Sequence, residues 1–352
     1  MEEKKNEKAM DTKEIETIEI SSNCHSEKIT DQKSSEKKSL KFNQKENVIL
    51  KYPMWNNISN LCWLNSSMIL LAHSKILRRL AEDISPSQIY NILFCYKVAV
   101  AVMNDDASDQ DSNTHEAGII LTDVRKSVFE YLRPIIKCVK GKPDSAFCAL
   151  LNLISENKEI QNLFKVEFTK VGKCANCCAT RVINSEKTII TLSKIQPFNP
   201  IHIISLSKCP VCEVPDQELR YVYKTLPQCL MFHFEKGAGR GIFKSLDFKI
   251  NDREYKLTGF IKLVQLNDPP VGHFIASVRK VFHDNWMDCD DLIHEPLQFY
   301  EGHPYLNLRQ IHILMFEAMD NKGTIPNASY KDDSSLIGDF NSSNIPIIDL
   351  SD

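Results

Sequence analysis

The sequence predicts an α+β protein in which helices come first along the chain and antiparallel strands follow. Between about residues 62 and 160, apolar residues recur at the three- and four-residue spacing of a helix with one buried face. After residue 160 the apolar residues alternate with a period of two, which is typical of strands. Because the two patterns are segregated along the chain rather than alternating, they favour an α+β fold.

The first two helices are predicted from apolar spacing and from capping residues. Leu64, Met68 and Leu71 lie at i, i+4 and i+7, so they share one helix face. The segment SPSQIYNILFCYKVAVAVMND predicts a second helix, with Ser85 as the N-cap and Pro86 at the first helical position.

Further elements follow from the same kinds of signal. The polar stretch NDDASDQDSNTHEA predicts a loop. LTDVRKSVFEYLRPIIKCVK predicts a helix interrupted near Pro134, and SAFCALLNLISEN predicts another helix. Strands are predicted in LFKVEFTKV, TIITLSKI, CLMFHFEK, REYKLTGFIKLVQL, GHFIASVRKVF and NLRQIHILMFE.

Composition divides the 352-residue chain into three parts. Residues 1–47 are rich in Lys, Glu, Ser, Asn and Thr, so they lack the apolar surface that would offset the entropy of ordering, and we expect disorder. Residues 48–318 carry the helix and strand patterns and are expected to form one domain. Residues 319–352 return to Asn, Ser, Asp and Gly, which predicts a flexible tail.

The bulk composition excludes several classes of protein. A net charge of -3 provides no basic excess for nucleic acid as the main partner. The longest apolar runs are about six residues, far below a membrane span, and the N-terminus has no apolar signal-peptide region. We therefore expect a soluble intracellular protein whose 12 cysteines are reduced, metal-bound or catalytic.

Cys62 is a candidate nucleophile because of where it lies. In NNISNLCWLNSSMILLAHS it stands between a polar turn and a predicted helix. A helix N-terminus favours negative charge, and the thiolate is the reactive form of cysteine. The alternative is a buried structural cysteine, which is common in protein cores.

A candidate base lies far along the chain, in VGHFIASVRKVFHDNWMDCDDL. His273 begins a predicted strand, and a turn at HDN leads into a second strand. In such a hairpin a residue late in the second strand lies beside one early in the first, so Asp290 is the predicted partner of His273. Asp288 and Asp291 remain rival acids, and a surface hairpin with an acidic end is the alternative.

Two Cys-x-x-Cys pairs predict a structural zinc site. Cys174 and Cys177 form the first pair, and Cys209 and Cys212 form the second. Four cysteines in two such pairs are the usual ligands of a tetrahedral Zn²⁺ site, which would clamp a hairpin tip that has little core of its own. Cys178 makes the first pair ambiguous, although the two-residue spacing favours Cys177. Unrelated core or redox cysteines are the alternative.

The segment around Cys62 resembles the cysteine box of the ubiquitin-specific proteases, roughly N-x-G-N-T-C-[YW]-x-N-[SA]. The matching residues are Asn57, Asn60, Cys62 and Asn65. LPQCLMFHFEK is similar to another strand of that family, and the resemblance covers about residues 50–318.

The segment around His273 looks like the histidine box of the same family, roughly G-H-Y…W…D-D. Gly272, His273, Trp286, Asp290 and Asp291 match it. The order of the two boxes, with the two Cys-x-x-Cys pairs between them, also agrees with the family.

Three departures in the cysteine box bear on the substrate. Ser59 replaces the usual glycine, Leu61 the usual threonine and Trp63 the usual tyrosine. With these residues the box looks closer to the ubiquitin-specific-peptidase-like SUMO isopeptidase branch than to true ubiquitin proteases.

The resemblance implies a papain-like cysteine isopeptidase with thumb, palm and fingers, in which zinc binds a fingers hairpin. Cys62 would attack the carbonyl of the modifier's C-terminal glycine, and His273 would transfer the protons. Asp290 would orient His273, and Asn57 would stabilise the oxyanion. Structural Zn²⁺ would be the cofactor, with no organic cofactor. SUMO and SUMO-conjugated proteins would be the partners of a nuclear monomer.

The tail contains one further motif, in NIPIIDLSD. Ile347, Ile348, Asp349 and Leu350 resemble a SUMO-interaction motif, which binds by adding a strand to a sheet edge. A final strand of the fold or a chance match is the alternative. Two rival functions also stay open: a ubiquitin-specific deubiquitinase, and a catalytically silent SUMO-binding zinc module.

Overall fold

The computed structural model describes residues 51–319, except residues 58, 81–84, 107–108, 140–141, 143, 193–197, 236–246, 266–271, 280–284, 294–296, 301–303, 305 and 308. The predicted disordered segment 1–47 and the tail motif at 347–350 lie outside the described residues.

In the described part of the chain, all helices precede all strands, which confirms the predicted order of an α+β fold. The helices are α1 Cys62–Ala72, α2 Lys75–Leu80, α3 Gln88–Met103, α4 Gln110–Ile136, α5 Ala146–Glu156 and α6 Lys158–Phe164. None of these helices has the length and apolar composition that crossing a membrane would require.

The strands are β1 Val166–Lys173, β2 Thr180–Lys187, β3 Ile190–Leu192, β4 Ile204–Ser207, β5 Gln217–Thr225, β6 Cys229–Phe234, β7 Asp247–Ile250, β8 Arg253–Gln265, β9 Gly272–Arg279, β10 Trp286–Cys289, β11 Leu297–Tyr300 and β12 Ile311–Ala318. They form a small sheet in the order β2-β1-β5-β4 and a large sheet in the order β11-β10-β9-β8-β12-β6-β3, with β7 beside β8. Pairing is antiparallel except between β3 and β6.

The N-terminus of α3 differs from the prediction. Ser87, not Ser85, is the N-cap: its backbone is extended, and its hydroxyl accepts a hydrogen bond from the backbone N–H of Tyr90 at 3.2 Å. Pro86 therefore precedes the cap instead of occupying the first turn. Both serines fit the capping pattern in sequence, and the backbone conformation decides between them.

The predicted loop before α4 is also mostly helical. Asp109 caps α4 by accepting from the N–H of Ser112 at 3.2 Å, so the helix includes the second half of the polar stretch. Apart from the buried Asn113, the polar residues of this part of α4 face solvent, and the later turns of the helix bury an apolar face. Pro134 lies in the last turn without interrupting the helix, which ends at Ile136.

The large sheet separates two hydrophobic cores, and this determines where α1 lies. All six residues of β6 are buried because alternate side chains enter opposite cores: Met231 packs with the helices, and Phe232 packs with the small sheet. All eleven residues of α1 are buried against the sheet. A Cβ atom on Gly259 of β8 would lie 2.4 Å from Leu70 Cδ1, so the glycine allows the helix to approach closely.

Candidate active site

Cys62 is the first residue of α1 and is buried, with 4% of its surface exposed. The first N–H groups of a helix have no intrahelical carbonyl partner, so they and the helix dipole favour an anion at this position. The turn before the helix is held by Asn57, whose side-chain oxygen accepts a hydrogen bond from the N–H of Leu61 at 3.2 Å. Because the side-chain oxygen of Asn57 is hydrogen-bonded within the turn, its amide NH₂ group is the part that can donate a hydrogen bond to a ligand.

Two consecutive residues of this turn have left-handed backbone conformations. Ser59 has φ 65° and Asn60 has φ 56°. Asparagine tolerates this region, but serine carries a Cβ that is strained there, by about 1–2 kcal/mol. Ser59 occupies the position at which the cysteine box of the ubiquitin-specific proteases has glycine, so the structure shows what that glycine provides: an unstrained left-handed turn.

Replacing Ser59 with glycine should therefore stabilise the protein. The relief of about 1–2 kcal/mol is partly offset by about 0.5–1 kcal/mol from the greater freedom of glycine in the unfolded chain. We expect a higher midpoint of urea unfolding for Ser59→Gly. The matched control is Ser112→Gly, an exposed position in the first turn of α4, which should lower the midpoint. Equal destabilisation by both substitutions would show that the turn is not strained.

The structure brings His273 and Asp290 into hydrogen-bond contact. β9 and β10 pair with Cys289 opposite Ala276, and Asp290 follows directly after β10. His273 Nε2 lies 2.8 Å from Asp290 Oδ1, and 3.7 Å from Asp291 Oδ1. Asp290 also accepts from the N–H of Leu292 at 3.1 Å, which fixes the orientation of its carboxylate.

The electrostatics of the pair favour a charged histidine. Burial by itself would lower the pKa of His273, but hydrogen bonds to Asp290 and to the Cys62 thiol outweigh it and raise the pKa to about 9. Burial would likewise raise the pKa of Asp290, yet the hydrogen bonds from His273 and Leu292 lower it. An imidazolium next to an ionised carboxylate and a thiol is the arrangement of an activated cysteine nucleophile.

The other described histidines with shifted pKa values behave in the opposite way. Burial lowers the pKa of His73 to about 3, and lowers that of His233 and of His312 to about 4. His73 is hydrogen-bonded to the Tyr96 hydroxyl at 2.9 Å, which agrees with a structural role. Among the described histidines with a shifted pKa, His273 alone is held in the charged form.

The four predicted cysteine ligands come together at one end of the small sheet. The Sγ atoms of Cys174 and Cys212 are 3.5 Å apart, and those of Cys177 and Cys209 are 3.7 Å apart. All four sulfurs lie within 4.8 Å of one another. A tetrahedral Zn²⁺ with Zn–S bonds of about 2.3 Å separates its ligands by about 3.8 Å, so the cluster fits such an ion.

Each cysteine pair forms the same turn at the tip of its own hairpin. The N–H of Cys174 donates to Ala179 and that of Cys209 to Val214, both at 2.9 Å. The residues after the second cysteines, Cys178 and Glu213, have φ of 58° and 60°. The first turn joins β1 to β2, and the second joins β4 to β5. The cluster therefore links two hairpins rather than clamping one, and the exposed Cys178 is not part of it.

The family model described as "Ubiquitin-specific peptidase-like, SUMO isopeptidase" matches residues 52–317. The chain belongs to this family. A SUMO-specific isopeptidase USPL1 of Danio rerio is 25% identical over 284 residues, and that of Homo sapiens is 23% identical over 252 residues.

These matches to the isopeptidase family cover 75% and 68% of this chain but only 27% and 22% of the relatives. The chain thus spans about a quarter of the length of the curated relatives it matches. A solved SAGA DUB module, Ubp8(C146A)/Sgf11/Sus1/Sgf73 bound to monoubiquitin, has a TM-score of 0.49 and 12% identity, over 77% of this chain and 69% of that chain.

Asn65 of the cysteine box, and Arg125 between the two boxes of this isopeptidase family member, have contacts that the sequence did not predict. Asn65, one turn after Cys62 on α1, donates to Asp291 Oδ2 at 2.7 Å. Arg125 on α4 donates to the carbonyl of Asn56, next to Asn57. For the first contact the sequence offers a local indication: Asn65 is at i+3 from Cys62, so the two residues share one face of α1. The second joins residues 69 positions apart and has no local signal.

Proposed function

We propose that this chain is a cysteine isopeptidase that hydrolyses the bond after the C-terminal Gly-Gly of SUMO. The single observation that carries the proposal is the chain of contacts from Cys62 through His273 to Asp290. Membership of the SUMO isopeptidase family supports both the reaction and the modifier.

The proposed reaction has two steps: formation of a thioester on Cys62, and hydrolysis of that thioester. The Cys62 thiolate attacks the glycine carbonyl, and the tetrahedral oxyanion is stabilised by the side-chain amide of Asn57. His273, oriented by Asp290, gives its proton to the leaving lysine amine, and a thioester remains on Cys62. His273 then accepts a proton from water, which attacks the thioester and releases the SUMO carboxylate.

The raised pKa of His273 predicts the alkaline limit of this reaction. Below about pH 9 the imidazole keeps the proton that the leaving amine requires. As the pH rises through about 9, that proton is lost, and the rate of amine release should fall.

We further propose a structural Zn²⁺ held by Cys174, Cys177, Cys209 and Cys212. The sulfur distances and the four-thiolate donor set support zinc over harder metals. The ion would hold the two hairpin tips together. The proposed chemistry needs no organic cofactor, because the three side chains supply nucleophile, acid and base.

A test with electrophilic modifiers distinguishes this function from its two rivals. SUMO and ubiquitin are each given a C-terminal electrophile and incubated with the protein, and covalent attachment is followed by mass. Attachment of SUMO to Cys62, with ubiquitin at least tenfold slower, is the expected result. Faster attachment of ubiquitin would establish a deubiquitinase instead. Binding of SUMO without attachment would establish the silent binding module.

The tail motif is proposed to bind a second SUMO, separately from the catalytic groove. Residues 347–350 lie beyond β12, so they can contact a SUMO other than the one being cleaved and raise its effective concentration. We propose the nucleus as the compartment, because most SUMO conjugates are there, and a monomer as the active form.

Replacing Ile347, Ile348 and Leu350 with alanine should slow the cleavage of poly-SUMO chains at low enzyme concentration. Cleavage of one SUMO fused to a small reporter should stay within twofold of the original rate, because the groove is unchanged. Gel-based cleavage assays of both substrates measure this difference. Equal slowing of both would place the motif in the catalytic fold, and no change in either would make it a chance match.

A further inference from the structure

Asp288 on β10 is bound by side chains from the next two strands of the large sheet, β9 and β8. Its Oδ1 accepts a hydrogen bond from the hydroxyl of Ser277 on β9, and its Oδ2 accepts one from Lys262 Nζ on β8 at 2.9 Å. Ser277 is fully buried, and the side chain of Lys262 is 16% exposed. One carboxylate therefore joins β8, β9 and β10.

This connection lies on the opposite face of the large sheet from Cys289. Cys289 packs with the helices, whereas Trp286, two residues before Asp288 in the same strand, packs in the core on the other side. Because side chains alternate along a strand, Asp288 lies on the same face as Trp286 and is paired there with Ser277. Asp288 is paired with Ser277, four residues along β9 from His273, and its carboxylate binds Ser277 and Lys262 instead of His273.

The connection fixes the two strands that carry His273 and Asp290. β10 has only four residues, and Asp290 follows it directly. Asp288 is paired in register with Ser277, four residues along β9 from His273. A shift of β10 along β9 would change the 2.8 Å contact between His273 and Asp290, and a misplacement of about 1 Å in such groups can cost about 100-fold in rate.

Charge gives the same connection a second role. Three carboxylates, those of Asp288, Asp290 and Asp291, fall within four consecutive residues. Lys262 neutralises the first of them through a short, mostly buried contact. Loss of this ammonium would remove the charge partner that Lys262 provides to the partly buried Asp288, two residues from Asp290. The charge of Lys262 also helps to lower the pKa of Asp290, after the larger contributions of His273 and Leu292.

We infer that Lys262, acting through Asp288 and Ser277, is a positioning residue that holds Asp290 in place for His273. The inference rests on the proposed function, because it assigns a role in the same reaction. The inference also goes beyond the proposed function, since Lys262 and Asp288 do not contact the reacting atoms and are neither the nucleophile nor its base.

The test compares Lys262→Met with Lys262→Arg in two assays. The first is the pH dependence of alkylation of Cys62 by iodoacetamide, located by mass spectrometry, which reports the state of the triad without any modifier. The second is kcat and KM for a SUMO–reporter fusion. For Lys262→Met we expect the alkylation midpoint to rise by about one pH unit, kcat to fall about tenfold, and KM to stay within twofold. Lys262→Arg should restore most of both values.

Two further variants keep the test decisive. Ser277→Ala removes the hydrogen bond from Ser277 to Asp288 and should shift the alkylation midpoint and kcat in the same direction by a smaller amount. This variant tests the positioning role even if Lys262→Met does not fold. Lys165→Met removes a surface ion pair of similar length, 2.8 Å to Glu186, and should change neither readout.

The outcomes separate this inference from the proposed function. An alkylation profile and kcat equal to the original in folded Lys262→Met and Ser277→Ala would overturn the positioning role and leave the isopeptidase intact. A shifted alkylation profile in a protein that never cleaves SUMO would overturn the function and leave the positioning role intact. A raised KM with unchanged kcat and alkylation would assign Lys262 to modifier binding instead.

Discussion

Replacing Cys62 with alanine should abolish SUMO hydrolysis. The thiolate is the only covalent nucleophile of the proposed mechanism, and removing one member of a catalytic triad typically costs about 10⁴-fold or more in kcat. The fold should survive, because the substitution removes a single buried sulfur at the first position of α1. Turnover of a SUMO–reporter fusion, with circular dichroism to verify folding, measures both effects.

The matched control for this prediction is Cys148→Ser. Cys148 lies in α5 as a partly buried free cysteine, outside the contacts of His273. Its loss should leave kcat within twofold, which would attribute the effect to the position of the thiol and not to cysteine content. Substantial turnover by folded Cys62→Ala would end the cysteine-isopeptidase proposal.

Replacing Cys209 with serine should remove the metal and unfold the two hairpin tips. Structural Zn²⁺ contributes about 10–16 kcal/mol in isolated zinc-finger peptides, which is comparable with the whole stability of a domain. The tips have little apolar core of their own, since Val211, Val214 and Val182 are exposed. We expect about one zinc per chain in the original protein, none in Cys209→Ser, and a large fall in thermal midpoint.

Cys178→Ser provides a control for the zinc prediction at the neighbouring position. Cys178 is exposed and outside the four-sulfur cluster, so its variant should keep about one zinc per chain and an unchanged midpoint. Elemental analysis and thermal unfolding of both variants make the comparison. A Cys209→Ser protein that retains zinc, or an original protein that binds none when metal is supplied, would refute the site.

Short-range features of the fold could be predicted from the sequence because they depend on local spacing. The helical period identified α1 and α5, and the period of two identified strands such as β6, β8 and β9. The strands β2 and β5 were missed. Their alternation TRVINSEK and QELRYVYKT is rich in charged residues, because one face of the small sheet is exposed. The sequence also did not predict that Ser87 rather than Ser85 is the N-cap of α3, since both serines match the local capping pattern.

The sequence by itself determined which residue types were available for the site: a cysteine at a helix start, a Gly-His strand, an Asp-Asp pair and two Cys-x-x-Cys pairs. Only the tertiary structure decided which of them meet. Strand register places Asp290 at 2.8 Å from His273, leaves Asp291 to Asn65, and turns Asp288 toward Lys262. The physical reason is that a side chain's face in a sheet depends on pairing with strands distant in sequence, and moving the register by one residue exchanges the two faces.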